Sequence, residues 1–214
     1  MAHGKFLASF SSILVVVICH TSAFSQKSFR IGLSGGVVIS ELSVSPEPLR
    51  DPVSRKGILA AVIGELSINQ AWSFQLAPRY IENGIQFNSL DLRECPICGG
   101  ISETTVDLNY LELPILVKLR IVNDQFTPFI FGGGSVAILM SAQMGSFDIM
   151  DNYERTDIRA TLGAGIEFKA STLVSLSLEA ASSHGYKNIV SEDNGSEIHT
   201  ENYQLSFGAL YQLW

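Results

Sequence analysis

Eleven charged side chains recur at alternate positions along this chain: Arg30, Glu65, Arg79, Glu112, Lys118, Arg120, Asp157, Arg159, Glu167, Lys169 and Glu179. Each stands in a row of glycine, serine and other polar residues, and each row faces a row of large apolar side chains. Both signs are present. Charges taken out of water in a confined interior need partners of opposite sign to offset their desolvation. Glu65, Arg79, Glu112, Lys118, Arg120, Arg159 and Glu167 are therefore expected to form an interior ion-pair network, with Glu112, Lys118 and Arg120 at its centre. A path for protons or ions is the alternative chemistry for the same residues.

Two further groupings bear on chemistry. Cys95 and Cys98 enclose a Pro-Ile pair. In an exported protein such a pair is expected to oxidise to a small disulfide that stiffens a loop. A redox-active pair, a zinc site with His184 and His199, and free thiols are the other readings. The first lacks a surrounding βαβ pattern, and the second needs distant ligands. Ser182, Ser183, Asp193, His184 and His199 place nucleophile and base types around the last loop, but nothing in their spacing fixes a triad. No phosphate-loop, dinucleotide, zincin or EF-hand motif is present. No enzyme activity, cofactor or metal is expected.

The elements that position these residues are strands. Period-two alternation of apolar and polar residues appears in eight runs. They cover about 28–40, 57–68, 72–87, 105–121, 126–141, 156–169, 173–183 and 202–214. The fourth is the clearest: Leu111, Leu113, Ile115, Val117, Leu119 and Ile121 oppose Glu112, Pro114, Lys118 and Arg120. The second is the least clean, being apolar on both faces near Leu59–Ile63. Pro114 cannot donate to a ladder, so a local bulge, or a carbonyl satisfied by water, is expected there. Long polar connections follow the odd runs. Short turns follow the even ones: Asn69-Gln70-Ala71, Val122 to Gln125, and Ala170-Ser171-Thr172.

Composition narrows the setting. The 214 residues suffice for one domain. Only 16% are charged, against about 25% in soluble proteins, and mean hydropathy is +0.24. Beyond the N-terminus no apolar run reaches the roughly 18 residues of a membrane helix. A β-barrel resolves that conflict by spreading lipid-facing residues over alternate positions. Residues 1–25 read as a signal peptide: Lys5, then an apolar stretch from Phe6 to Cys19, then Ala23-Phe24-Ser25 before the cut. Ile18 before Cys19 argues against a lipoprotein. Losing Lys5 takes the formal net charge from −7 to −8, which disfavours nucleic acid as a partner.

Alternation does not say which face meets lipid, since a soluble barrel would bury the apolar rows instead. Four features favour apolar faces outward: run length, small and ionic residues on the facing rows, long connections alternating with short turns, and aromatics near strand ends. Those aromatics are Phe29, Trp72, Tyr80, Tyr110, Phe126, Phe168, Tyr203, Tyr211 and Trp214. The expected architecture is an all-β, eight-stranded, antiparallel up-and-down transmembrane barrel over residues 26–214. It would lie in the outer membrane, with both termini periplasmic.

Tyr110-Leu111-Glu112-Leu113-Pro114-Ile115-Leu116-Val117-Lys118 resembles the signature strand of the PorT-like outer-membrane β-barrel proteins of Bacteroidetes. Gly32 to Ser40, Thr127 to Gly134 and Leu162 to Phe168 are similar to that family's first, fifth and sixth strands. The resemblance carries no common activity. Ser206-x-Gly208-x-x-Tyr211-x-Leu213 resembles the C-terminal signal read by barrel-assembly machinery. The expected partners are thus outer-membrane lipid, that machinery, and an envelope or surface protein bound through the long loops. A narrow solute or ion transporter, or a lipid-acting barrel, is the alternative.

Overall fold

The computed structural model describes residues 28–45, 53–87, 104–121, 125–144, 147–148, 150, 154–187 and 197–214. The segment expected to be a leader and the Cys95/Cys98 loop lie outside them. Among these described residues are ten strands: β1 (Ser28–Ser45), β2 (Val53–Ser67), β3 (Trp72–Leu76), β4 (Arg79–Phe87), β5 (Thr104–Arg120), β6 (Phe126–Met144), β7 (Phe147–Asp148), β8 (Thr156–Lys169), β9 (Val174–Gly185) and β10 (Glu197–Gln212). β3 and β4 keep one register against β5, and against β2 from Ser73 to Ile81, and act as a single stave interrupted at Ala77-Pro78; against β2 the register shifts once, between Ser54 and Leu59. β7 adds only two residues to the edge of β6. Eight staves therefore make the wall.

The wall closes. β1 pairs with β2 on one side and β10 on the other, and every neighbouring pair is antiparallel. The stagger follows from the register. From Ile31 the paired residues run through Gly64, Leu76, Ile115, Gly134, Ala160, His184 and Glu201 and return to β1 at Glu41. Ten residues of stagger over eight staves tilt the strands by about 40° to the barrel axis. The even stagger lets each alternating row meet its own face on closure.

Alternation then sorts the side chains. Leu33 and Ile115 are more than 60% exposed on the outside, and the even-numbered residues of β5 from Leu108 to Arg120 are all buried inside. The aromatics expected at the strand ends face outward with one exception. Phe29 stacks on Trp214 with centroids 5.2 Å apart, and Phe126 lies 5.2 Å from Phe168 at the same end of the barrel. Tyr110 departs from its expected place in an aromatic girdle. It shares parity with Glu112, so its ring is fully buried in the lumen.

At the short-turn end local chemistry closes the hairpins. Asn69 Oδ1 accepts from the Ala71 and Trp72 amides at 2.9 and 2.7 Å. Ser171 Oγ accepts from Leu173 and Val174 at 3.3 and 3.0 Å. Both are side chains that mimic a backbone turn. At the other end the strands outlast the expected runs: β1 continues to Ser45 and β10 begins at Glu197.

Pro114 carries no bulge. The register runs unbroken through Pro114–Ser135 on one side, and its carbonyl accepts from the Ala77 amide at 3.4 Å on the other. Pro78, one residue on from Ala77, accepts from Val62 at 3.0 Å. Each proline gives up one bond of a reciprocal pair and keeps the other, which a wall ladder tolerates. A bulge lies further along β5 and β6, where Asn109 faces Ser141 and Tyr110 faces Leu139, leaving Met140 over.

Candidate functional site

The lumen holds the charged residues in two layers. Toward the short-turn end, Glu65 of β2 lies at the centre, fully buried. It pairs with Arg30 and Arg120, and with Lys118 at 3.3 Å. Arg30 also reaches Glu167 of β8, and Arg120 Nε lies 3.7 Å from the same carboxylate. Lys118 spans the bore to Glu179 of β9 at 3.2 Å and sets its ammonium 4.1 Å from the centre of the Phe129 ring. Toward the long-connection end, Glu112 accepts from Arg79 at 2.8 Å and from Ser135, with Arg159 at 3.6 Å. Arg159 pairs with Asp157 at 2.8 Å and lies 4.6 Å over the Tyr110 ring. Thr200 donates to Asp157 at 3.1 Å. With its amide oxygen turned to the guanidinium, Asn202 accepts from Arg159 at 3.1 Å and donates to Ser40 at 3.1 Å.

All seven residues singled out from the sequence thus face inward, but their grouping differs from the expected one. Glu112 does not meet Lys118 or Arg120. Six residues separate Glu112 from Lys118 on one strand, roughly 20 Å along it, so they fall in different layers. Glu65 takes the central place that was expected for Glu112. Lys169 departs too: at the last position of β8 it is exposed at the rim. Arg30, Asp157 and Glu179 complete the paired set.

Apolar groups fill much of the remaining bore, which the sequence did not announce. Phe129 and Phe131 of β6 are buried inside with Leu116. They fit because their cross-strand partners on β8 are Gly165 and Gly163. A Cβ at either glycine would run into the facing ring. The signal lay in that pairing, which a single strand does not reveal. Leu108, Tyr110, Ala137 and Leu139 close one side of the bore near the long connections, and Met150 packs against them. Val38, Leu59 and Ile81 form another cluster. Between the charged layers a cavity of about 20 Å³ remains, far short of a solute channel.

The nucleophile and base types near the last loop do not converge among the described residues. Ser183 is buried in the lumen and accepts from Thr161 at 3.3 Å. His184 points the opposite way, 3.4 Å from Glu201 and edge-on to Tyr186. Successive strand residues face opposite sides, so the two cannot form a pair. Among the described residues no three histidine, cysteine or acidic side chains cluster as metal ligands.

A closed eight-stave barrel that turns leucine and isoleucine outward and locks its charges inside has the form of a transmembrane β-barrel. The comparisons agree. The family model for the outer membrane protein beta-barrel domain matches residues 24–191, and the chain belongs to that family. Among solved structures, Neisserial surface protein A is similar at a TM-score of 0.54 and 15% identity, covering 85% of this chain and 96% of that one. The outer membrane protein OprG of Pseudomonas aeruginosa is similar at 0.50 and 10% identity, covering 87% and 96%. At these identities the likeness is one of fold. No curated protein matches the chain. The protein is an outer-membrane β-barrel protein.

Proposed function

We propose that this barrel is a structural or partner-binding protein of the outer membrane, acting through its long extracellular loops and not through its bore. The observation that supports this reading is the filled lumen. Two layers of cross-bore ion pairs, with Phe129, Phe131, Tyr110 and Leu139 packed around them, span the interior of a barrel only eight staves wide. In this reading residues 1–25 are a cleaved leader, both termini and the short turns are periplasmic, and the long connections face outward. Barrel-assembly machinery takes up the chain through its last strand. In the same reading the chain is one of the PorT-like proteins of Bacteroidetes, a reading its Tyr110–Lys118 strand supports by resemblance, and Cys95 and Cys98 form a loop disulfide. The protein is not an enzyme in this reading.

Co-purification in mild detergent from native outer membranes tests it. The expected result is a stoichiometric envelope or surface protein that is lost when residues 88–103 are replaced by a short Gly-Ser link. The opposite result is no partner, together with a solute flux in liposomes that Glu112→Ala with Lys118→Ala abolishes while the barrel still assembles. That outcome would move the protein to the transport class.

A further inference from the structure

The cavity between the two charged layers is small, but its lining is specific. It is bounded by apolar side chains, including Leu116 and Phe131, and by Gln75, Gln204, Arg79 and Glu179. Three residues of that lining each carry a buried polar atom with no hydrogen-bond partner in the protein: Gln75 Oε1, Gln204 Nε2 and Arg79 Nε. Gln75, Gln204 and Arg79 are each less than 10% exposed. Two of these atoms donate and one accepts. Their residues come from two staves: Gln204 from β10, and Gln75 and Arg79 from either side of the break between β3 and β4. Buried polar groups rarely stay unpaired, because such a group loses its bonds to water and gains none in exchange.

We infer that this cavity is a binding site for one ordered water molecule, which joins the two ion-pair layers across the middle of the lumen. The space is right: about 20 Å³, where one water needs roughly 10–15 Å³. The chemistry is right as well. The water oxygen accepts from Gln204 Nε2 and Arg79 Nε, and one of its protons goes to Gln75 Oε1. Glu179 supplies an acceptor for the second proton. Glu179 belongs to the layer of Lys118, and Arg79 belongs to the layer of Glu112. The bridge therefore turns two separate networks into one continuous column. A halide would meet the two donors, but it would also face the Glu179 carboxylate and the Gln75 carbonyl, so a neutral ligand fits better.

A high-resolution crystal structure of the refolded protein, grown with sodium bromide in place of chloride, tests this. Amide-to-water cross-relaxation by NMR in micelles accompanies it. The expected result is a single density peak within 3.2 Å of all three atoms, without bromide anomalous signal. The Gln204 side-chain amide should show a direct, long-lived water contact. In Gln75→Met that contact should weaken at least several-fold while the heat-dependent gel shift of the barrel is kept. An anomalous peak at the site would make it an anion site and overturn the inference. So would wild-type protein with neither density nor water contact, which needs no variant to fold. An undiminished contact in Gln75→Met would remove Gln75 from the site.

Discussion

Lys118 of β5 and Glu179 of β9 meet across the bore at 3.2 Å, although β6 and β8 stand between their staves in the wall. Lys118 also holds Glu65 at 3.3 Å from the other side. One ammonium, 1% exposed, thus ties three staves together. Removing one partner of a buried pair costs more than the pair contributes, because the other charge is left without compensation. Lys118→Met should lower barrel stability by about 3 kcal/mol. Lys118→Met with Glu179→Met should recover part of that loss. Urea titration of the folded fraction, read by gel mobility without boiling, measures both. Equal losses in the single and double variants would show that the Glu179 charge left behind adds nothing to the cost.

The glycines of β8 set the bore. Phe129 faces Gly165 and Phe131 faces Gly163. Gly165→Leu should therefore cost at least 1–3 kcal/mol, the usual price of overpacking. Phe129→Ala in the same chain should restore folding. Phe129→Ala alone should cost about 3–5 kcal/mol through the cavity it leaves and the lost ring beneath Lys118. The test is the yield of heat-modifiable barrel from a standard refolding reaction. A Gly165→Leu barrel that folds as well as wild type would place the Phe129 ring elsewhere.

The wall was legible in the sequence because a membrane barrel imposes period two on both faces at once. Leu111 to Ile121 against Glu112 to Arg120 is enough to orient β5. Elsewhere the signal faded for physical reasons. Past Ile39 the apolar positions of β1 change parity, to Leu42 and Val44, so the alternating run breaks off while pairing continues. Hence Leu42–Ser45 stays strand, paired with Glu197–Thr200, where a loop was expected. Which charges meet was unreadable, because partners such as Lys118 and Glu179 are brought together by strand tilt and stagger, not by spacing along the chain. The inward turn of Tyr110 did follow from its parity with Glu112. Its position near a strand end suggested an interfacial ring instead.

Pro114 offers a test of the ladder. It pairs with Ala77, whose amide already donates to it at 3.4 Å. Pro114→Ala supplies the missing N–H of that reciprocal pair, aimed at the Ala77 carbonyl. The new bond should contribute about 0.5–1.5 kcal/mol. The unfolded chain gains freedom worth about 0.4–1 kcal/mol. The two offset, so stability should stay within about 1 kcal/mol of wild type. Backbone amide exchange at residue 114 should be slow. A loss well above 1 kcal/mol, or rapid exchange at that amide, would mean that the strand needs a kink there.

The outward face tests the membrane assignment most directly. Ile115 is 61% exposed on the barrel exterior, midway along β5. If lipid covers it, a charge there must leave water. Ile115→Arg should then cost about 2–4 kcal/mol, the range for arginine at the midplane of a barrel's lipid face. The same substitution at Tyr186, exposed just past the end of β9, should cost about 0–1 kcal/mol, as expected near or beyond the interface. Folding into liposomes under a urea gradient reads both variants on one scale. Were the exterior bathed in water, Ile115→Arg would fall within about 0.5 kcal/mol of wild type, as ordinary surface substitutions do. The difference between the two positions, more than either value alone, measures how deep in the bilayer this part of β5 lies.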